Sequence, residues 1–172
     1  MPQDKPPSSD DPSRAAFASA LRMLALRDLS EAQLRERLQR KNFPPDAVDA
    51  ALARLTQEGA IDDRRTAVSR ARTELFVRGR GRMRVLQQLR AIGIAPETAE
   101  EALADAIGDL DETTLVERAL NRRFRGRVVR FEDQAEFRRL YRYLAGQGFS
   151  ASAIIPVLRA RSRRNFEPQD DT

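Results

Sequence analysis

A chain of 172 residues with no cysteine and no histidine has no disulfide framework, no thiolate, and neither the usual general base nor the commonest metal ligand. Aromatics at 6% with no tryptophan argue against one large globular core, while Ala, Leu, Val and Ile suit slim helices packed closely, either as one domain or as a row of small units sharing an elongated core. No apolar run approaches the ~20 residues a bilayer span needs, and no basic-then-apolar export signal opens the chain, so a cytoplasmic protein without a membrane partner is expected.

Residues 1–12 are rich in Pro, Ser and Asp, lack periodic apolar positions, and are expected to form a disordered arm; residues 165–172 are expected to form a disordered tail. Between them the periodicity predicts nine helices in three units, over 13–60, 61–108 and 109–164. In the first unit Phe17, Leu21 and Leu24 form a stripe ending near Asp28. Ser30 with Gln33 spells a capping box for a second helix facing inward through Leu34 and Leu38. Val48, Leu52 and Leu55 then mark a third helix, closed by Gly59. In the second unit Asp62 or Asp63 can cap a helix whose inward face is Ala67, Ala71 and Leu75. Gly79 and Gly81 break the chain, Leu86 and Leu89 mark the next helix, and Ala99, Leu103 and Ala106 the last. The third unit starts near Asp111 with Val116, Leu120 and Phe124, is interrupted at Gly126, and continues through Phe137, Leu140, Tyr141 and Leu144 to Ile154, Ile155 and Leu158. Pro156 lies inside this final stretch and predicts a helix that is short, kinked or begun late. No segment alternates as a strand would.

One phrase recurs three times. Leu38 is followed by Asn42 and Phe43, Leu89 by Gly93 and Ile94, and Leu144 by Gly148 and Phe149, at separations of 51 and 55 residues. Each copy reads as a helix stop in the left-handed conformation, an apolar residue folding back on the finished helix, and a fresh start at Pro45, Pro96 or Ser150. Repeated corners at this spacing describe an all-α protein of three tandem three-helix repeats.

The net charge of +5 conceals bands: +6 over residues 61–95, −8 over 96–117, and +10 over 118–164. Such banding places patches of field on the surface. Arg78, Arg80, Arg82 and Arg84 surround the glycine-opened turn and are candidates to meet phosphates or an acidic protein rim; a solvated Arg-rich corner is the plainer reading. Arg122, Arg123, Arg125, Arg127 and Arg130 form a second cluster with Phe124 interleaved, which reads as a core residue rather than a base-stacking platform, and Arg159, Arg161, Arg163 and Arg164 form a third. Asp62 and Asp63 suit helix caps joining two units better than contacts to a basic partner. Glu97, Glu100, Glu101 and Asp105 lie at helical spacing and read as a solvated acidic face rather than a cation site; the acidic band as a whole either pairs with Arg of neighbouring helices or lines the concave face. The Gly79–Arg82 turn lacks the strand and the Gly-Lys-Ser/Thr of a phosphate-binding loop, so no enzyme and no cofactor are expected.

The run from Gly59 to Ile94 closely resembles the central signature of the RecX family, bacterial regulators of the RecA recombinase. The likeness rests on Gly59, Ile61-Asp62-Asp63, Ala67, Gly79-Arg80-Gly81, Leu86, Leu89, Gly93 and Ile94. Leu24, Arg27, Ser30, Leu34, Leu38 and Phe43 upstream fit it, as do Leu144, Gly148, Phe149 and Ile155 downstream, so it covers about residues 15–160. One departure is Thr66, where the family usually carries Phe or Tyr; if that ring packs between units, the first junction here is looser. The resemblance implies an elongated, curved array of three repeats that binds RecA filaments on single-stranded DNA and suppresses ATP hydrolysis, strand exchange and co-protease activity, placing the protein in recombination, DNA repair and the SOS response. The expected partners are the RecA filament and single- or double-stranded DNA, met as a monomer. The alternative left by the Arg bands and helix corners is a stand-alone helical DNA-binding protein such as a transcription regulator.

Overall fold

The computed structural model describes residues 11–127 and 133–162. Among them the backbone forms nine α-helices, one π-helical turn and no strand. The helices are α1 (Pro12–Leu24), α2 (Glu31–Arg40), α3 (Pro45–Gln57), α4 (Asp63–Arg72), α5 (Arg82–Ala91), α6 (Pro96–Ile107), α7 (Glu112–Arg123), α8 (Gln134–Gln147) and α9 (Ala151–Arg161), with the π turn at Thr73–Val77 after α4. They pack in threes: α1 and α2 on α3, α4 and α5 on α6, α7 and α8 on α9. The fold is an all-α array of three-helix repeats.

Helix starts follow local chemistry. The Ser30 hydroxyl accepts from Gln33 N at 3.2 Å and the Gln33 side chain accepts from Ser30 N at 3.3 Å, completing the capping box. Asp62, Asp111, Asp133 and Ser150 cap α4, α7, α8 and α9 through side-chain oxygens. The predicted arm lies outside the described residues up to residue 10, but its last two residues belong to α1, since Asp11 accepts from Ser13 N at 2.9 Å and Pro12 opens the helix. The predicted tail lies outside the described residues.

The repeated phrase is one structure made three times. Asn42, Gly93 and Gly148 take positive φ of 61°, 82° and 92°. Phe43 N then donates to Leu38 O at 3.3 Å, Ile94 N to Leu89 O at 3.1 Å, and Phe149 N to Leu144 O at 3.3 Å. These are the six-to-one bonds of a left-handed helix stop, which satisfy carbonyls that would otherwise be orphaned. Ile94 and Phe149 are buried by folding back, and Phe43 is half-buried.

Two expectations need correction. The inward face of α1 is Ala16, Ser19 and Ala20, whereas Leu21 is 40% exposed and Phe17 and Leu24 only flank the core. Small side chains let α1 lie close against α3, which puts the larger apolar residues at the edge of the contact. Pro156 neither delays nor ends α9: the helix begins directly after its Ser150 cap and continues past the exposed proline to Arg161.

The apolar interior divides in two. Leu29, Leu34, Leu38, Val48, Leu52, Leu55 and Ile61 close a core within the first three helices. A second core runs continuously through α4–α9, from Ala67 and Leu75 across Leu89 and Leu103 to Leu120, Phe137, Leu144 and Ile154. The units therefore do not share one elongated core. Each fully buried Leu contributes about 1.5–3 kcal/mol of hydrophobic stabilisation.

The two junctions differ accordingly. The first is polar and close: Ser30 Oγ donates to the Ile92 carbonyl, Glu31 N donates to Asp63 Oδ1 at 2.9 Å, and Gly93 lies so near α2 that a Cβ there would stand 2.3 Å from Ala32 Cβ. The second joins backbones above a shared core. Gly81 N donates to Gln147 O at 2.9 Å and Met83 N to Gly148 O at 3.1 Å, and a Cβ on Gly81 would meet the Gly148 carbonyl carbon at 2.4 Å.

Candidate interaction surface

Two of the three predicted arginine clusters flank loops, one before α5 and one after α7, and the fold brings these loops together between the second and third units. The first loop follows the π turn. Arg78 N donates to Thr73 O at 3.0 Å to close that turn, Gly79 reverses the chain at φ 66°, and Arg80 N donates to Glu74 O at 2.9 Å. The second loop ends α7, where Phe124 packs half-buried on the core and Arg125 takes a positive φ of 53°. Gly79 lies 3.6 Å from both Ala119 and the Arg122 side chain, so the two loops touch.

Several of the candidate arginines brace the protein itself. Arg78 lies 3.1 Å from Glu74 Oε1, on a carboxylate only 1% exposed, and Arg70 lies 3.5 Å from the same oxygen. Arg80 Nη1 donates to Gln147 Oε1 at 2.6 Å, tying the turn to the end of α8. Arg82 bonds Glu100 at 2.6 Å, across to α6. Arg122 donates to the Phe76 carbonyl, and Arg123 stacks over the Tyr143 ring at 4.1 Å. Arg161 Nη2 reaches Asn121 Oδ1 at 3.0 Å. Among the described candidates, Arg84, Arg125, Arg127 and Arg159 have no such partner. Arg84 is half-buried in a cleft between α5 and α8, whereas Arg125 and Arg127 are exposed on the far loop. Arg130, Arg163 and Arg164 lie outside the described residues.

The acidic band has partners within the fold. Glu100 meets Arg82, and Asp105 meets Arg64 at 2.8 Å, so α6 is a counter-rail to the basic residues of α4 and α5. Among the described residues no group of three or more acidic side chains converges as a cation site would require.

Asp62 and Asp63 serve helix ends in two different units. Asp62 accepts from Arg65 N at 2.9 Å as the cap of α4. Asp63 reaches back to the first amide of α2. Burial pushes the Asp63 carboxyl above its ordinary range, opposed by the bond from Glu31 N. Asp111 moves the other way, held low by hydrogen bonds from Thr114 and Thr113. Gly93 and Gly148 give each neighbouring unit a place to approach: Ala32 presses on Gly93, and the Arg84 backbone on Gly148.

Sequence reasoning missed Glu74, Arg90, Arg118 and Met83. Glu74 looked like one acid in a basic run, yet it is buried as the anchor of the turn. Arg118 stands 5.5 Å over the Phe76 ring. Met83 is 68% exposed beside Arg84, and that apolar residue between two arginines was the readable signal.

A helical array of three-helix units, joined where glycines let the units approach closely, is the class of protein that the fold defines. The chain matches the models of the RecX first three-helix domain over residues 16–55 and second three-helix domain over residues 62–103. It is 36% identical over 145 residues to the regulatory protein RecX of Syntrophotalea carbinolica, covering 84% of this chain and 94% of the relative. It is 32% identical to that of Trichlorobacter lovleyi, covering 80% and 90%. The crystal structure of RecX from Lactobacillus salivarius superimposes with a TM-score of 0.71 over 87% of this chain and 96% of that one; at 19% identity this likeness concerns the fold. The chain belongs to the RecX family of regulatory proteins. No helix among the described residues is long and apolar enough to cross a membrane.

Proposed function

We propose that this protein is a cytoplasmic, non-enzymatic modulator of the RecA recombinase that binds the RecA filament on single-stranded DNA as a monomer and lowers its ATPase, strand-exchange and co-protease activities. The reading is supported by membership of a regulatory family along nearly the whole helical array. It is carried further by one observation: the fold braces Arg78, Arg80, Arg82, Arg122 and Arg123 internally and leaves Arg84 in the α5–α8 cleft, and Arg125 and Arg127 on the loop after α7, without an internal partner. Cations left unpaired beside a rigid joint suit recognition of an acidic surface, where each well-formed contact is charge-assisted. The mechanism is steric and allosteric: an array lying along the filament obstructs duplex entry and favours loss of protomers.

The test is single-stranded-DNA-dependent ATP hydrolysis by the cognate recombinase, with this protein titrated well below one per protomer. A progressive fall in rate is expected. An unchanged rate with intact filaments, together with tight and steeply salt-dependent binding to naked DNA, would replace this reading by direct DNA binding.

A further inference from the structure

The cleft between α5 and α8 is the feature the bracing contacts leave unexplained. It encloses about 530 Å³ at the second junction. Its α5 wall carries Met83 and Arg90, two turns apart on one face, with Arg84 on the adjoining side. Its α8 wall is Ala145 and Gly146, whose small size opens the cleft, with exposed Arg142 one turn before them. Glu100 also borders the cleft, but its carboxylate is taken by Arg82 at 2.6 Å. Arg84, Arg90 and Arg142 have no ion-pair partner among the described residues. Met83 is 68% exposed and lines the cleft together with Arg84 and Arg90, an apolar and adaptable side chain beside positive charge. The floor is fixed, because Gly81 and Met83 bond to the backbone of Gln147 and Gly148 and both walls rest on one core.

From this arrangement we infer that the cleft is a docking site for an acidic protein segment carrying an apolar anchor, the anchor seated on Met83 and the small α8 wall and its carboxylates paired with Arg84, Arg90 and Arg142. A nucleic-acid strand fits less well: no aromatic ring lines the cleft to stack a base, and an exposed methionine has no role against phosphate. The inference rests on the proposed action at the recombinase filament, and it names the part of this chain that grips the filament protein and the chemistry that it grips.

The chain has no cysteine, so Met83→Cys provides one thiol for an environment-sensitive fluorophore at the cleft. The labelled protein is titrated with recombinase filaments, with naked single-stranded DNA, and with a synthetic helical peptide of Glu and Leu. Filaments and peptide are expected to shift the emission and DNA is not. The unlabelled Arg84→Glu/Arg90→Glu variant, with its helicity and melting temperature checked, is expected to bind filaments about tenfold or more weakly in co-sedimentation. Filament binding by the double variant at full strength, with no change in emission of the labelled protein, would overturn the cleft and leave the filament reading standing. Loss of filament binding altogether, with the peptide still shifting the emission and losing affinity on charge reversal, would overturn the filament reading and uphold the cleft. A response to naked DNA at lower concentration than to the peptide would assign the cleft to nucleic acid instead.

Discussion

Asp63 caps a helix to which it does not belong. Its Oδ1 accepts the first amide of α2 while its own backbone opens α4, so one side chain sets the spacing of two units. Asp63→Ala is expected to cost about 1 kcal/mol, the usual loss for a cap. Asp63→Asn keeps an acceptor and removes a desolvated charge beside Glu31 and Asp62, so it is expected to be at least as stable as wild type at pH 7. The sign follows from linkage. A carboxyl raised in the folded state favours folding fully below its ordinary range and loses that contribution as pH rises through its raised value, so any advantage of Asp63→Asn shrinks on acidification. Thermal melts of the three proteins at neutral and mildly acid pH check this; an advantage that grows on acidification would contradict it. Asp111, held low, contributes in the opposite sense and weakens the fold as pH falls. Glu74 makes a second test. Its carboxylate is 1% exposed beside Arg70 and Arg78, whose own side chains are 40% and 50% exposed. Glu74→Gln is expected to lower stability by about 1–2 kcal/mol, less than a fully buried pair because solvent screens the guanidinium groups; an unchanged urea midpoint would show that the pair is idle. At this scale the sequence reveals which residues cluster but not whom they meet. The partners of Arg82, Arg122 and Arg80 lie 18, 46 and 67 positions away in Glu100, Phe76 and Gln147, and no local pattern announces a bond across that distance.

At the scale of elements, the corners are what the chain writes most plainly. A left-handed residue followed by an apolar one is dictated by bonds within six residues, so it can be read without knowing the fold. The face of α1 could not be read this way. Periodicity weights large apolar residues, whereas the contact with α3 is decided by how close two backbones can come, and Ala16, Ser19 and Ala20 allow that approach. Gly93 shows both influences in one residue: φ is 82°, and a Cβ would stand 2.3 Å from that of Ala32. Gly93→Ala is expected to cost about 2–3 kcal/mol, part backbone strain and part overlap. A double-mutant cycle with Ala32→Gly separates the two. The overlap part is expected to appear as a favourable coupling of about 1 kcal/mol, and strictly additive effects would mean that strain alone is responsible.

For the whole molecule, the division of the interior matters more than the number of repeats. Composition argued against one large globular core but did not show where the apolar interior would part, or that one core would run through six helices. The break falls where Ser30, Asp63 and Ala32 replace apolar contact with polar and backbone contact. Thr66 sits 8% exposed at that break and borders a notch of about 240 Å³ with Leu29, Gln33, Ser69 and Ile92. Native-state hydrogen exchange is expected to show two cooperative groups, α1–α3 and α4–α9. Thr66→Phe is expected to fill the notch and raise the melting temperature by about 2–4 °C while drawing the two groups together. A single cooperative group in the wild type would contradict the division.

The two glycines that meet back to back, Gly81 and Gly148, have a mechanical consequence. With no side chain between them and two backbone bonds across the contact, the second and third repeats cannot slide past one another without losing the joint. Resting on one core, they are expected to act as a stiff lever, and the first repeat, with its own core and a polar wrist, to be the compliant end. A surface that stretches or turns beneath such a molecule would keep the cleft's geometry intact and take up the displacement at the wrist.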